Sequence, residues 1–301
     1  MIKSFDALKK ELPGSKPLRL VVVAAQETVV LDAVSEATKA GWVKPIFITT
    51  GEVPPFNDFS DLAITIHHAS SLQQAAELGT ELLARGEADL MMKGLIPTAD
   101  FLRPLLNTEK HLIKTGRMLT HVGAISIPNR GRLTLISDAA IMINPDLRAK
   151  EIIIENAICV ARALGYNPPK VAVLSALEAV NPKIPSSVEA GKLKEMSQSG
   201  RFGDCVVSGP LALDNALCHD AAVTKGLNGD PVAGEADVLI FPELVSGNIL
   251  YKSFSIIAGY PSAGVVMGAK VPIILTSRAD PPEAKVNSIA LACFLAQNTP
   301  G

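Results

Sequence analysis

The sequence predicts an α/β protein of two lobes with a cleft between them. Short apolar runs alternate with longer segments of helical periodicity along most of the chain, the pattern of strands joined by crossover helices. At 301 residues and 48% hydrophobic content, there is enough apolar material for two cores of ordinary size. The alternation breaks once, over residues 118 to 143, where two strand-like runs follow each other across the turn PNRG. That antiparallel hairpin marks the border between lobes. The first lobe is expected over 1–128 together with 268–301, the second over 129–267.

The first strand is LRLVVVAA, residues 18 to 25. The following helix carries Val30, Ala33, Val34 and Ala37 on one face and stops at Gly41, a left-handed cap position. Between them, Gln26-Glu27-Thr28 contains no glycine, which argues against a dinucleotide fingerprint. KPIFITTG and AITIHH give a second and a third strand, separated by a loop at Val53-Pro54-Pro55, and a helix runs from about Ser71 to Arg85 before Gly86. Residues 88 to 106, ADLMMKGLIPTADFLRPLL, read as a strand, then Lys93-Gly94, then a helix with Thr98 as N-cap and Arg103 five residues beyond. Lysine, threonine and arginine around a helix start make a phosphate pocket. The plain alternative is a capping threonine beside two solvated basic residues.

After the hairpin, Asn144 is expected to cap a helix with Pro145 at its first position and Ile154, Ala157, Ile158, Ala161 and Leu164 on its buried face. Strands are expected at 171–175, 204–208 and 237–241. Two polar turns lie among them, 209–215 and 242–248, the second opening a helix NILYKSFSIIAG that Gly259 and Pro261 close. The last stretch, VPIILTSRADPPEAKVNSIALACFLA, joins a strand buried on both faces to a helix. Asp280 is expected as N-cap, with Pro281 and Pro282 in the first helical positions, Glu283 three residues after the cap, and Val286, Ile289, Ala290, Cys293 and Phe294 as the buried stripe. Ligands bind at the carboxyl ends of strands in open α/β sheets, and a helix N-terminus there favours an anion. Ser277 and Arg278 would point at it.

Composition excludes several classes. With 28 basic against 30 acidic residues, no general field draws the chain to nucleic acid or an anionic membrane. No apolar run reaches the length of a membrane span and MIKSFDALKK lacks a signal-peptide core, so a cytoplasmic protein is expected. Cys159, Cys205, Cys218 and Cys293 lack metal or disulfide spacing and read mostly as buried small hydrophobes. The five histidines form no H-E-x-x-H pair and no zinc cluster, so no metal is expected. His121, alone in an apolar strand, reads as a hydrogen-bonded core residue. Neither the phosphate-cradling G-x-x-x-x-G-K-[ST] nor the G-x-S-x-G elbow occurs.

Six fragments in order give the chain a resemblance: LMMKGLIPTADFLRPLL, HVGAISIPNRGRLTLISDAAIMINPDL, AVLSALEAVNPKIPSS, GPLALDNA, SGNILYKS and GAKVPIILTSRAD followed by EAK. Together they resemble the phosphate acetyltransferase and phosphate butyryltransferase family over nearly the whole chain, and more closely its butyryltransferase branch. The resemblance implies a fold similar to that of the isocitrate and isopropylmalate dehydrogenases, an active-site cleft between the lobes, and a homodimer or higher homo-oligomer. It implies exchange of a short acyl group, butyryl before acetyl, between coenzyme A and inorganic phosphate, with acyl-CoA and acyl phosphate as substrates and no tightly bound cofactor.

Residue by residue, Ser277 and Arg278 match the family's serine-arginine pair, the hydroxyl holding the carbonyl oxygen and the guanidinium stabilising the charged intermediate. Thr98 and Arg103 match its phosphate-pocket threonine and arginine. Lys93, Asn215, Gly247 and Asn248 match motif positions that serve binding or cleft architecture, Lys93 on the phosphate side and the others on the coenzyme A side. The acetyltransferase branch places a catalytic aspartate six residues after its arginine, where this chain has Ala284. Asp280 and Glu283 are the nearest carboxylates and the candidates for that role. Ser208 stands where the butyryltransferase pattern usually has aspartate, and Val245 where an acidic residue is common. Two rival readings are a non-catalytic acyl-CoA-sensing regulatory domain and a decarboxylating dehydrogenase of similar fold. The second would need a metal-binding aspartate cluster, which the sequence lacks.

Overall fold

A computed structural model describes residues 1–12, 16–51, 59 and 64–299. In chain order the elements are α1 (Phe5–Glu11), β1 (Leu18–Val23), α2 (Thr28–Lys39), β2 (Val43–Thr49), β3 (Thr65–His68), α3 (Leu72–Ala84), β4 (Leu90–Lys93), α4 (Thr98–Leu102), β5 (Thr120–Ile125), β6 (Thr134–Ser137), α5 (Leu147–Ala163), β7 (Lys170–Leu174), α6 (Pro185–Gln198), β8 (Val206–Leu211), α7 (Leu213–Leu217), α8 (His219–Thr224), β9 (Val238–Ile240), α9 (Leu244–Lys252), β10 (Ser262–Met267), β11 (Ile273–Ile274) and α10 (Pro282–Asn298). The expected α/β class holds. The expected loop at Val53-Pro54-Pro55 lies outside the described residues.

The chain divides into two units, Phe5–Leu119 with Pro261–Gly301 and Met1–Ser4 with Thr120–Tyr260. The borders expected at 128/129 and 267/268 therefore fall at 119/120 and 260/261. Strands, not the turns between them, open each new segment: β5 begins the middle one and β10 the final one.

In the unit of Phe5–Leu119 and Pro261–Gly301 the strand order is β3-β2-β1-β4-β11-β10, parallel throughout except that β10 runs antiparallel to β11. From β1 the chain builds outward through β2 to β3, then returns to lay β4 on the other side of β1. The order therefore reverses between β1 and β4, the kind of switch point where the carboxyl ends of parallel strands leave a crevice. Val21, Val22, Val23, Met91, Met92, Ile273 and Ile274 are all fully buried, as strands covered on both faces must be. The strand β10 was missed in the sequence because SAGVVM is short, carries Gly264 and shows no alternation.

Helix α10 departs from the expected single stripe. Every residue from Ala284 to Leu295 is buried, including Lys285, Asn287 and Ser288 at 0% exposure. A helix enclosed on all sides must satisfy its polar side chains internally. Ser288 does so by accepting from the Gly264 N–H at 2.9 Å and donating to the Ala284 carbonyl at 2.6 Å.

The other unit carries the order β5-β6-β9-β7-β8. The expected hairpin is present, with Val122 opposite Ser137 and Ile125 opposite Thr134 in antiparallel register, and the remaining pairs are parallel. Its core gathers Ile125, Ile136, Ala172, Leu211, Ala216, Leu239 and neighbours. The cap of α5 is Asp146, whose Oδ1 accepts from the Ala149 N–H at 2.8 Å, two residues after the expected Asn144. Residues 209–215, expected as a polar turn, instead finish β8 and begin α7. Helix α9 starts earlier than expected, its N-cap Glu243 accepting from the Val245 and Ser246 amides, and widens into a π turn over Ser253–Ile257.

The cysteines split. Cys205 and Cys293 are buried, Cys159 is half-buried and Cys218 is exposed. Burial pushes the Cys205 and Cys293 thiols up to about 12, so neither forms thiolate near neutral pH. A thiol reagent at mildly alkaline pH is expected to label Cys218 in the native protein and Cys205 and Cys293 only after unfolding, as peptide mass spectrometry would show. Native labelling of Cys205 would contradict this packing.

Candidate active site

The carboxyl ends of β1, β4 and β11 lie side by side, and each delivers a charged residue. Val23 pairs with Lys93 across β1 and β4, and Ile274 with Met92 across β11 and β4. From β1 comes Glu27 at the start of α2, from β4 comes Lys93, and from the turn after β11 come Ser277, Arg278 and Asp280. The ends of β1 and β4 approach closely: the Gly94 and Leu95 amides donate to the Val23 and Ala24 carbonyls, each at 2.9 Å. A Cβ on Gly94 would sit 2.3 Å from the Ala24 oxygen. Only glycine fits that spacing.

The 277–280 turn closes on itself. Asp280, 8% exposed, accepts the Ser277 N–H through Oδ2 at 2.7 Å, and the Asp280 N–H donates to the Ser277 carbonyl at 3.2 Å. Its carboxylate thus organises the turn instead of capping α10, and this corrects the expected N-cap. The N-cap of α10 is Pro281, which has no side-chain acceptor. Ser277 is exposed, and its Oγ accepts from the Ala279 N–H at 3.3 Å. Arg278 is exposed at the crest of the turn and makes no hydrogen bond or ion pair among the described residues. Glu283 is exposed in the first turn of α10.

Lys93 is buried at 6% exposure and donates to the Gly94 and Ile96 carbonyls at 3.2 and 3.1 Å. Burial holds its ammonium below the usual lysine range. Glu27 and Asp280 oppose that shift, while Arg278 and Lys285 add to it. Lys93, Arg278, Lys285, Glu27 and Asp280 thus act on one another at these converging strand ends.

Thr98 and Arg103 are placed differently. Thr98 is the first residue of α4, not its cap, because Pro97 occupies the N-cap position. This helix is only five residues long and tightens into a 3₁₀ turn at Arg103. Arg103 is 72% exposed and pairs with Asp100 at 3.1 Å. It lines an open groove of about 480 Å³ with Gln73, Glu77, Glu81, Asp100 and Lys110. Among the described residues no hydrogen bond or ion pair joins Thr98 or Arg103 to Ser277 or Arg278. Arg103 is thus exposed and ion-paired, whereas Lys93 is buried.

In the other unit, Asn215 is fully buried, its Nδ2 donating to Glu178 Oε1 at 2.6 Å. Gly247 lets α9 approach the 138–139 backbone, since a Cβ there would meet the Asp138 carbonyl oxygen at 2.5 Å. Asn248 donates to the Ala139 carbonyl at 2.9 Å. All three hold local architecture, as the family motif allows.

Sequence reasoning missed two members of the cluster, Glu27 and Lys285. The signal for Lys285 is a lone cation inside an apolar helix, in the EAK that follows the serine-arginine turn. For Glu27 it is a carboxylate in the glycine-free turn after β1, where α2 makes no use of it as a capping acceptor.

A family model described as phosphate acetyl/butaryl transferase matches residues 59–293. The phosphate butyryltransferase of Clostridium acetobutylicum is 38% identical over 304 residues, covering 99% of this chain and 100% of that protein. The phosphate acetyltransferase of Thermotoga maritima is 37% identical over 295 residues, covering 95% and 98%. Among solved structures, a branched-chain phosphotransacylase from Enterococcus faecalis V583 matches with a TM-score of 0.84 at 32% identity, over 93% of this chain and 99% of that one. A protein described as a 4-hydroxythreonine-4-phosphate dehydrogenase from Salmonella typhimurium matches at TM-score 0.53 and 13% identity, over 93% and 99%, a likeness of fold alone. That likeness agrees with the expected dehydrogenase-type fold. With acyltransferases of both branches aligned along nearly its whole length, the chain belongs to the phosphate acetyl/butaryl transferase family.

Proposed function

We propose that this chain is an acyltransferase exchanging a short acyl group between coenzyme A and inorganic phosphate, butyryl in preference to acetyl. The observation that carries the proposal is the Arg278 guanidinium, exposed and without a hydrogen bond or ion pair among the described residues, on the turn after β11, the strand beside the one that ends in buried Lys93. In the direction of acyl phosphate synthesis, a phosphate oxygen attacks the thioester carbonyl. The new C–O bond forms, the C–S bond breaks, and the coenzyme A thiolate leaves with the electron pair and takes up a proton. Negative charge builds on the carbonyl oxygen in between, so donors placed at that oxygen lower the barrier. Ser277 Oγ and Arg278 are the proposed donors, Lys93 with Thr98 and Arg103 the proposed phosphate ligands. Asn215, Gly247 and Asn248 are proposed to shape the coenzyme A side.

Asp280 and Glu283 remain the proposed carboxylates near the reacting groups. Asp280 already serves the turn, and a thiol with a pKa of about 8.5 is partly ionised near neutrality without a strong base. Atoms and electrons balance without a metal or redox cofactor, and none is proposed. The butyryl preference is supported by butyryltransferases at 37 and 38% identity along the chain. A cytoplasmic setting is supported by the coenzyme A thioester it would use. A homodimer or larger homo-oligomer is supported by the exposed apolar residues Val245, Ile249, Ile256 and Ile257 on and after α9.

The purified chain is expected to consume butyryl-CoA only when phosphate or arsenate is added, and to consume acetyl- and propionyl-CoA more slowly. Binding of the thioester without phosphate-dependent loss would support the sensor reading. A second prediction concerns Lys93. Its folded-state pKa lies below its unfolded value, so the unfolded chain binds more protons and this group's contribution to stability rises with pH. At neutral pH the buried charge is a cost. Lys93→Met is therefore expected to flatten the rise of Tm with pH over the alkaline range in which this lysine titrates, while raising KM for phosphate. An unchanged pH dependence of Tm with unchanged phosphate KM would contradict its placement.

A further inference from the structure

Lys285 is fully buried, on a helix enclosed on all sides. A buried ammonium is tolerated when its donors are used, and here Nζ donates to the Ser277 carbonyl at 3.0 Å and the Asp280 carbonyl at 3.2 Å, with Glu27 Oε1 at 4.0 Å. The two carbonyls bracket Arg278: one lies just before it in the chain and the other two residues after. The ammonium therefore grips both feet of the turn from below, while Asp280 Oδ2 ties the Ser277 amide. Arg278 lies between those two residues in the chain, exposed and without a hydrogen bond or ion pair among the described residues.

We propose that Lys285 is a positioning residue for acyl transfer that acts through Arg278, with Glu27 as its counter-charge. The inference rests on the reading of Arg278 given above. A long guanidinium side chain aims its fork only as well as its backbone is held, and displacements near 1 Å at a reacting centre lower rates by about 10²-fold. Holding the turn by two carbonyls limits that displacement. A methionine at 285 would fill a similar volume, but it would hold neither carbonyl.

The test measures kcat and KM for wild type, Lys285→Met, Arg278→Ala and the double variant. Lys285→Met alone is expected to lose on the order of 10²-fold in kcat with little change in KM for the thioester. In the Arg278→Ala background the same substitution is expected to cost almost nothing further, because the group it aims is gone. Equal costs in both backgrounds would show a merely structural lysine and overturn the inference, and so would full turnover in Lys285→Met. If Lys285→Met does not fold, Glu27→Gln is read in the same two backgrounds. A loss confined to the background with Arg278 supports the inference, and equal or absent losses overturn it. Wild-type turnover in Arg278→Ala alone would instead bring down the reading of the site, which separates the two failures.

Discussion

Arg278→Ala is expected to lower kcat for butyryl transfer by about 10²- to 10³-fold, the range seen when one donor to a developing oxyanion is removed. Its stability is expected to change little. The side chain is exposed and makes no hydrogen bond or ion pair among the described residues, so truncation leaves no buried group unsatisfied, and such surface substitutions usually lie within about 0.5 kcal/mol. The turn stays tied by Asp280 and Lys285, both of which bond to its backbone and not to the arginine. Arg278→Lys is expected to fall between the two, since a lysine restores the charge without the planar fork. Steady-state kinetics beside a thermal melt checks the prediction. A large drop in Tm, or kcat within a factor of a few of wild type, would contradict it.

Gly94→Ala is expected to damage both stability and turnover. The added Cβ would sit 2.3 Å from the Ala24 oxygen and 2.6 Å from the Val23 oxygen, closer than real Cβ contacts come. Those atoms are backbone, and the same two oxygens accept the Leu95 and Gly94 amides at 2.9 Å. No side chain can rotate away to relieve the clash. The end of β4 has to part from β1, breaking or stretching both bonds, at a cost of about 1–3 kcal/mol or more. For a chain of this size each kcal/mol is worth roughly 2–4 °C in Tm. Lys93 precedes Gly94 directly and moves with it, so KM for phosphate is expected to rise alongside. Differential scanning calorimetry and a phosphate titration give the two readings, and a native Tm would refute the close approach.

The residues legible in sequence are those whose neighbours in the chain define them. Ser277 and Arg278 follow an apolar run and precede a helix, so strand, turn and helix could be read in succession and the pair placed at a strand end. Lys93 was legible for the same reason, at the end of LMM. The N-caps were less so. Thr98 and Asp280 have the right chemistry for caps, yet Pro97 and Pro281 take those positions, and Asp280 spends its carboxylate on the amide three residues before it. Competition between a helix amide and a turn amide for one carboxylate is decided by the turn's geometry, which local pattern does not reveal.

Glu27 and Lys285 were illegible for a different reason. Glu27 lies 4.0 Å from Lys285, far from it in sequence and reached through the neighbouring strands of the sheet, whereas the carbonyls that Lys285 holds belong to the turn just before its own helix. Lys285 also falls outside the stripe expected for its helix, Val286, Ile289, Ala290, Cys293 and Phe294, and full enclosure of α10 buries it all the same. Arg103 lies five residues beyond Thr98 as expected, but its helix ends after one turn and its guanidinium pairs with Asp100.

Phosphorus NMR on a mixture of butyryl-CoA, inorganic phosphate and the purified chain tests the central claim most directly. The account predicts an acyl phosphate resonance that grows with stoichiometric release of free thiol in the wild type and nearly vanishes in Arg278→Ala. Thiol release accompanied by free butyrate and no acyl phosphate, or identical spectra from the two proteins, would contradict it.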